Sequence, residues 1–200
     1  MKEAAIAGLI LSAGASRRIG SPKALLELNG ATFLDRLIRT FRAACDPLIV
    51  VLGYDAEHIR ESIPADATAV LNPDPARGMF SSLQCGLRAL PPHIDAVIFT
   101  PVDYPALRAD TIAALAKAFE QMQAPITRPR YAGERGHPVC ISRCVIDELL
   151  ALPVTAQARD VIHAYRPRTE YVDVDDPGIL VDIDLPEDYQ RLQAQAAPAK

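Results

Sequence analysis

The chain has no excess of positive charge, no apolar run long enough to cross a bilayer, and almost no lysine. A formal net charge of -4 argues against a protein that grips duplex nucleic acid, which needs a basic face to neutralise many phosphates. A small anionic ligand stays open, because one local cluster of cations can outweigh a mildly acidic whole. The longest apolar runs, around Ala5 to Leu11 and Pro47 to Gly53, fall far short of the roughly 20 residues of a spanning helix. No basic segment with an apolar core and cleavage site opens the sequence. The expectation is a cytoplasmic protein without nucleic-acid or membrane partners.

Paired cysteines are also missing. Cys45, Cys85, Cys140 and Cys144 have no zinc-type spacing and apolar neighbours, so they are expected as buried free thiols. No repeat of solenoid length appears. Two hundred residues, half of them hydrophobic, suit one core. The expected organisation is one domain over residues 1–192, followed by a flexible tail at 193–200 with an Ala, Gln and Pro bias.

Ala5–Leu11, Leu48–Leu52 and Ala96–Thr100 are continuously apolar, as strands buried on both faces are. Between them, Phe33, Leu34, Leu37, Ile38 and Phe41 have helical spacing, as do Leu83, Leu87 and Leu90 within Met79–Leu90. Further along, Ala69–Leu71 and Pro138–Ile141 read as short strands, and Thr111–Phe119 and Val145–Leu152 as helices. This βα alternation with right-handed crossovers predicts an α/β, three-layer αβα fold around a mostly parallel sheet. Ligands bind such sheets at the carboxyl ends of the strands.

The loop after the first strand, SAGASRRIGSPK, is the most unusual of these. Ala13, Gly14, Ala15 and Ser16, following Ser12, have little side-chain bulk, so the backbone can approach a ligand and aim several N–H groups at it. Arg17, Arg18 and Lys23 add charge suited to phosphate. The chain holds 21 basic residues but only four lysines, Lys2, Lys23, Lys117 and Lys200. A lone lysine behind a small-residue loop points to a use for its ammonium, with a solvated surface lysine as the plain alternative. The pattern is neither GxxxxGK[ST] nor GxGxxG.

In Pro101-Val102-Asp103-Tyr104-Pro105 two prolines stiffen the loop around one carboxylate. A rigid carboxylate at a strand end suits Mg²⁺, which takes hard oxygen ligands, while a plain turn aspartate fits equally well. In Val181-Asp182-Ile183-Asp184-Leu185-Pro186-Glu187-Asp188, extended geometry projects Asp182 and Asp184 to one side and Ile183 to the other. Glu187 and Asp188 favour the start of the next helix. Ser81 and Ser82 are candidate helix caps. His137, in Arg135-Gly136-His137-Pro138, suits phosphate or acid/base work, or turn packing. His58, His93 and His163 read as surface or packing residues.

The run LILSAGASRRIGSPKALLEL resembles the N-terminal signature of MobA/MocA-like nucleotidyltransferases, LAAGxSxRMGxxKxLL. GMFSSLQCGL, TPVDYP, GERGHPVCIS and VDIDLPEDY resemble the family's later blocks in the same order, so the likeness spans Leu9 to Tyr189. Ser12 stands where the family has Ala, and Ile19 where it has Met. The GHPV block and Ala13, where the guanylyl branch carries a first glycine, look most like the molybdenum cofactor cytidylyltransferase branch.

The resemblance implies a Rossmann-like, GT-A-like nucleotidyltransferase fold. It implies transfer of CMP from CTP to the terminal phosphate of molybdopterin with release of pyrophosphate. Arg18, Lys23 and Asp103 are then the catalytic set, and Asp103 and Asp184 the Mg²⁺ ligands; whether Asp182 assists Asp184 stays open. Ser12, Ala13, Gly14, Ala15, Ser16, Arg18, Lys23, Asn72, Ser82 and Asp103 are the nucleotide contacts. His137 falls on the acceptor side, and a recipient molybdoenzyme is an implied partner. Two other readings stay open: a transferase using GTP with molybdopterin, or CTP or UTP with a sugar or polyol phosphate, and a cofactor-binding chaperone that transfers nothing.

Overall fold

A computed structural model describes residues 4–196. In chain order, its strands are β1 (Ile6–Ser12), β2 (Glu27–Leu28), β3 (Ala31–Thr32), β4 (Leu48–Leu52), β5 (Ala67–Leu71), β6 (Ala96–Pro101), β7 (Ile126–Tyr131), β8 (Glu134–Arg135), β9 (Val139–Ser142) and β10 (Thr169–Asp173). The α-helices are α1 (Phe33–Phe41), α2 (Ala56–Arg60), α3 (Met79–Arg88), α4 (Ala109–Met122), α5 (Arg143–Ala151), α6 (Ala158–Ala164) and α7 (Pro186–Ala196). The main sheet runs β10-β7-β9-β6-β1-β4-β5, with β8 paired to β7. β1 pairs in parallel with both β4 and β6, whereas β9 runs antiparallel to its neighbours.

Alternation along the strands sorts the core into two layers, because successive side chains leave a strand on opposite faces. Ile6, Ile10, Val50, Leu52 and Ile98 meet Phe33, Leu37 and Phe41 of α1 and Ile112, Leu115 and Phe119 of α4. Ala7, Leu9, Ile49, Val51 and Val97 meet Leu83 and Leu87 of α3 and Val145, Ile146 and Leu149 of α5 on the other face. Burying one such Leu or Phe contributes about 2 kcal/mol. The predicted three-layer α/β architecture is therefore present.

Elements differ from expectation mainly at their ends and in the polar strands. α4 starts two residues before Thr111 and ends three after Phe119. β7 and β10, absent from the sequence reading, carry Thr, Arg, Glu and Asp in place of an apolar run. Pro129 lies opposite Val172 of β10, but its carbonyl accepts from the Gly136 N–H on the other side, so the missing N–H falls in the gap between the residues that pair with β9 (Ile126, Thr127) and with β8 (Arg130, Tyr131). The tail boundary at 192 is corrected, since α7 continues to Ala196 and residues 197–200 lie outside the described ones. The thiols are free, but Cys144 is exposed, contrary to expectation.

Because chain connections leave β1 toward β4 on one side and return to β6 on the other, the carboxyl end of β1 lies at a switch in strand order. Crevices form there in open parallel sheets, and the small-residue loop follows it directly.

Candidate active site

The loop after β1 is held from behind and from within. Gly53, at the end of β4, lies so close that an added Cβ would come within 2.7 Å of the Ala13 carbonyl oxygen and 2.8 Å of its Cβ. The Tyr54 N–H donates to that same carbonyl at 3.4 Å. Ser16 takes a left-handed φ of 48°, which costs a non-glycine residue on the order of 1 kcal/mol or more. Offsetting bonds surround it: its carbonyl accepts from Ile19 and Gly20 at 3.1 Å, and its hydroxyl accepts from the Lys23 N–H at 3.0 Å. A Cβ built on Gly14 meets nothing within 4 Å, so that position faces open space.

Folding back in this way delivers Lys23 to the acids. Its ammonium donates to Asp184 Oδ1 at 2.7 Å and to Asp103 Oδ2 at 3.3 Å. Arg18 reaches Asp184 Oδ2 at 3.1 Å. The two carboxylates, so distant in sequence, are joined by the backbone as well: the Ile183 N–H donates to the Asp103 carbonyl at 2.9 Å. Ile183 is buried at 1 % exposure, so Asp182 and Asp184 are turned outward to line the cleft, as the alternation predicts. Asp188 accepts from the Asp184 and Leu185 N–H groups at 3.1 and 2.8 Å, fixing the turn into α7.

Electrostatically the acids differ. Burial pushes the Asp103 carboxyl above its ordinary value, only partly opposed by Lys23. The Lys23 hydrogen bond holds Asp184 below the usual carboxylate range, with burial opposing. Asp103 Oδ1 is buried without a hydrogen-bond partner. An unsatisfied carboxylate oxygen beside a second carboxylate is the donor chemistry a hard divalent cation takes. The residues present thus fit such an ion, although no cluster of three or more metal-binding side chains occurs among the described residues.

The cleft, ≈ 490 Å³ in volume, is lined by Ser12, Ala13, Gly14, Ala15, Ser16, Arg18, Lys23, Ser82, Asp103 and Asp184. One candidate contact falls elsewhere. Asn72 lies behind the wall, donating both amide hydrogens, to Ser81 Oγ at 2.9 Å and Ser82 Oγ at 3.0 Å, and accepting from the Asp74 N–H at 3.0 Å. Asn72, expected as a nucleotide contact, does not line the cleft: its amide nitrogen braces α3's first turn and its oxygen the loop at Asp74. Nor do Ser81 and Ser82 cap that helix, which starts from Gly78; Ser81 donates to the Gly78 carbonyl at 2.8 Å.

A second cavity, ≈ 710 Å³, adjoins the first across Leu11, Gly78, Met79 and His137. Phe80, Phe99 and Ile162 form apolar wall, and Arg77, Arg128, Arg135, Arg159 and Arg166 also line it. Burial, then the neighbouring Arg135, pulls Arg128 below its ordinary value. Its Nη2 donates to the Gly136 carbonyl at 3.0 Å, and its buried Nε has no partner. His163, exposed as the surface reading expects, also lines this cavity.

His137 stands at the junction, its ring 4.6 Å from that of Tyr104 and 6.4 Å from that of Phe99. Burial lowers its pKa to about 4, so the ring is neutral near pH 7. The sequence reading missed Tyr54 in the cleft and Arg128 in the second cavity. Tyr54 had a usable signal, its place directly after the end of a parallel strand. Arg128 had none, because β7 itself was not legible.

The switch point of this α/β sheet thus carries a small-residue loop with paired carboxylates and cations beneath it, an arrangement that fits the nucleotidyltransferase class to which comparison with known proteins assigns the chain. The chain belongs to the MobA-like NTP transferase domain family, whose profile matches residues 8–169. It is 27 % identical over 187 residues to the molybdenum cofactor cytidylyltransferase of Escherichia coli K12, covering 92 % of this chain and 94 % of that one. A crystal structure from Mycobacterium sp. strain JC1, of a homologue of Mycobacterium tuberculosis Rv0371c, superposes with TM-score 0.84 at 32 % identity over 96 % of both chains. Rv0371c of M. tuberculosis H37Rv in complex with manganese superposes with TM-score 0.79 at 28 % identity, over 94 % of this chain and 98 % of that one.

Proposed function

We propose that this nucleotidyltransferase moves CMP from CTP to the terminal phosphate of molybdopterin. The observation that carries the reading is the convergence of Asp103, Asp184, Lys23 and Arg18 under the small-residue loop, in a chain similar over nearly its whole length to a molybdenum cofactor cytidylyltransferase. An acceptor phosphate oxygen attacks the α-phosphorus of CTP. A new P–O bond forms, the bond from α-phosphorus to the oxygen bridging to β-phosphorus breaks, and pyrophosphate leaves with that oxygen. A phosphate monoester has a second pKa of about 6 and is largely dianionic near neutrality, so no strong general base is required. A neutral His137 is consistent with that.

Charge control is the chain's main task. Arg18, Lys23 and the N–H groups of the loop stabilise negative charge as it moves toward pyrophosphate. Asp103 and Asp184 would hold Mg²⁺, which when bound supplies further neutralisation of the phosphates. The manganese complex of Rv0371c supports a divalent ion in the family. The arginine-lined, partly apolar second cavity suits an acceptor with a ring system and an anionic end, and it meets the cleft at His137.

The test is pyrophosphate release with each of the four nucleotides and Mg²⁺, with and without molybdopterin. Release that requires both CTP and molybdopterin is expected. Release with GTP in place of CTP, or with a sugar or polyol phosphate as acceptor, overturns the substrate assignment. Nucleotide binding with no release under any of these conditions points to a cofactor-holding chaperone.

A further inference from the structure

Three of the four oxygens on Asp103 and Asp184 are engaged by cations from a single loop: Asp184 Oδ1 and Asp103 Oδ2 by Lys23, and Asp184 Oδ2 by Arg18. The fourth, Asp103 Oδ1, is buried beside them. Lys23 is the more enclosed of the two cations, its side chain 12 % exposed against 63 % for Arg18. Its attraction to the acids is correspondingly less screened by water. The ammonium therefore competes for the same oxygens that a divalent ion takes. Lys23 also has a flexible four-carbon stem and lines the same cleft as the loop built to receive an anion.

We propose that Lys23 is a resident cation that keeps the Asp103–Asp184 pair from divalent metal until a polyphosphate draws its ammonium away. The inference rests on the nucleotidyltransferase reading of this cleft. On nucleotide entry the partners exchange: Lys23 and Arg18 pass from carboxylates to phosphates, and the carboxylates become free for the metal. Linkage makes the effect reciprocal, so metal strengthens nucleotide binding by the factor by which nucleotide strengthens metal binding. Metal and nucleotide thus load together.

Titration of nucleotide-free protein with Mn²⁺, with free ion followed by electron paramagnetic resonance, tests this directly. Lys23→Gln is expected to bind Mn²⁺ at least about tenfold more tightly than the wild type, and adding Asp103→Asn to it is expected to remove the gain. Equal or weaker binding by Lys23→Gln overturns the proposal, since a merely structural ion pair predicts that result.

The unsubstituted protein supplies a second test that does not depend on a variant's folding. Its four lysines can be resolved by mass spectrometry after reaction with an amine-directed label. Saturating Mn²⁺ alone should raise labelling of Lys23 relative to exposed Lys117, and an unchanged ratio overturns the exchange. If CTP-dependent pyrophosphate release is intact while the Mn²⁺ affinities do not differ, the exchange fails and the transferase reading stands. If no form binds Mn²⁺ at all, the assignment of the metal to these carboxylates fails with it.

Discussion

The two cavities that meet at His137 are built on different electrostatic plans. In the smaller, cations and carboxylates already face one another beneath a loop of tiny side chains. In the larger, arginines stand around an apolar wall that includes Phe80, Phe99 and Ile162, and among the described residues no carboxylate lines it. The first plan suits a ligand that brings both a polyanion and a metal. The second suits a ligand that brings anionic charge and a ring. A transferase needs both, because two anionic substrates must be held close without a single continuous basic trough that would accept either in either place.

Removing Lys23 should separate the two cavities most sharply. Lys23→Ala, with folding verified by circular dichroism, is expected to lower kcat by about 100-fold, the usual scale for one donor aimed at developing charge. Acceptor binding measured separately should hardly change. Near-normal turnover would break the comparison at its stronger end.

Neutralising the rim of the larger cavity should do the converse. Arg135→Gln with Arg166→Gln is expected to raise the acceptor KM by about tenfold, the scale of a lost charge-assisted hydrogen bond, while leaving kcat and the CTP KM near their starting values. A rise in the CTP KM instead would place the triphosphate in the wrong cavity.

A smaller effect is expected behind the wall. Asn72→Ala removes the amide that fixes Ser81 and Ser82 and should lower stability by about 2 kcal/mol, with a several-fold rise in the CTP KM. Chemical denaturation and steady-state kinetics on the same preparation check both parts.

The junction is read through pH rather than through turnover. The His137 pKa is about 4 when folded, against about 6.5 for a free side chain, so between those values the unfolded chain binds more protons. Stability should therefore fall as pH drops through that window, by a total on the order of 3 kcal/mol from this group. His137→Gln should flatten that slope. An unchanged slope from pH 7 to 4 would show that another group carries it.

How far the sequence revealed this arrangement depended on whether function and burial wrote the same pattern. β1, β4 and β6 were legible because both faces of a central parallel strand are covered, leaving unbroken aliphatic runs. The Lys23–Asp103–Asp184 grouping was legible in its members through a motif, and only the fold brings them together, by the bond from Ile183 to the Asp103 carbonyl. β7 and β10 were not legible, since strands that carry a polar cavity and a sheet edge have Arg, Glu and Thr where a core would require aliphatics. Arg128 was hidden with them. Asn72 looked like a ligand contact because a buried amide within an anion loop and one that braces that loop present the same residue in one dimension.

A crystal structure of the chain with a nonhydrolysable CTP analogue and Mn²⁺ tests the central arrangement most directly. The account predicts the triphosphate against residues 13–18, an anomalous manganese peak bound by Asp103 and Asp184, and the Lys23 ammonium moved onto phosphate oxygens. A triphosphate bound among Arg128, Arg135 and Arg166, or manganese remote from both carboxylates, would contradict it.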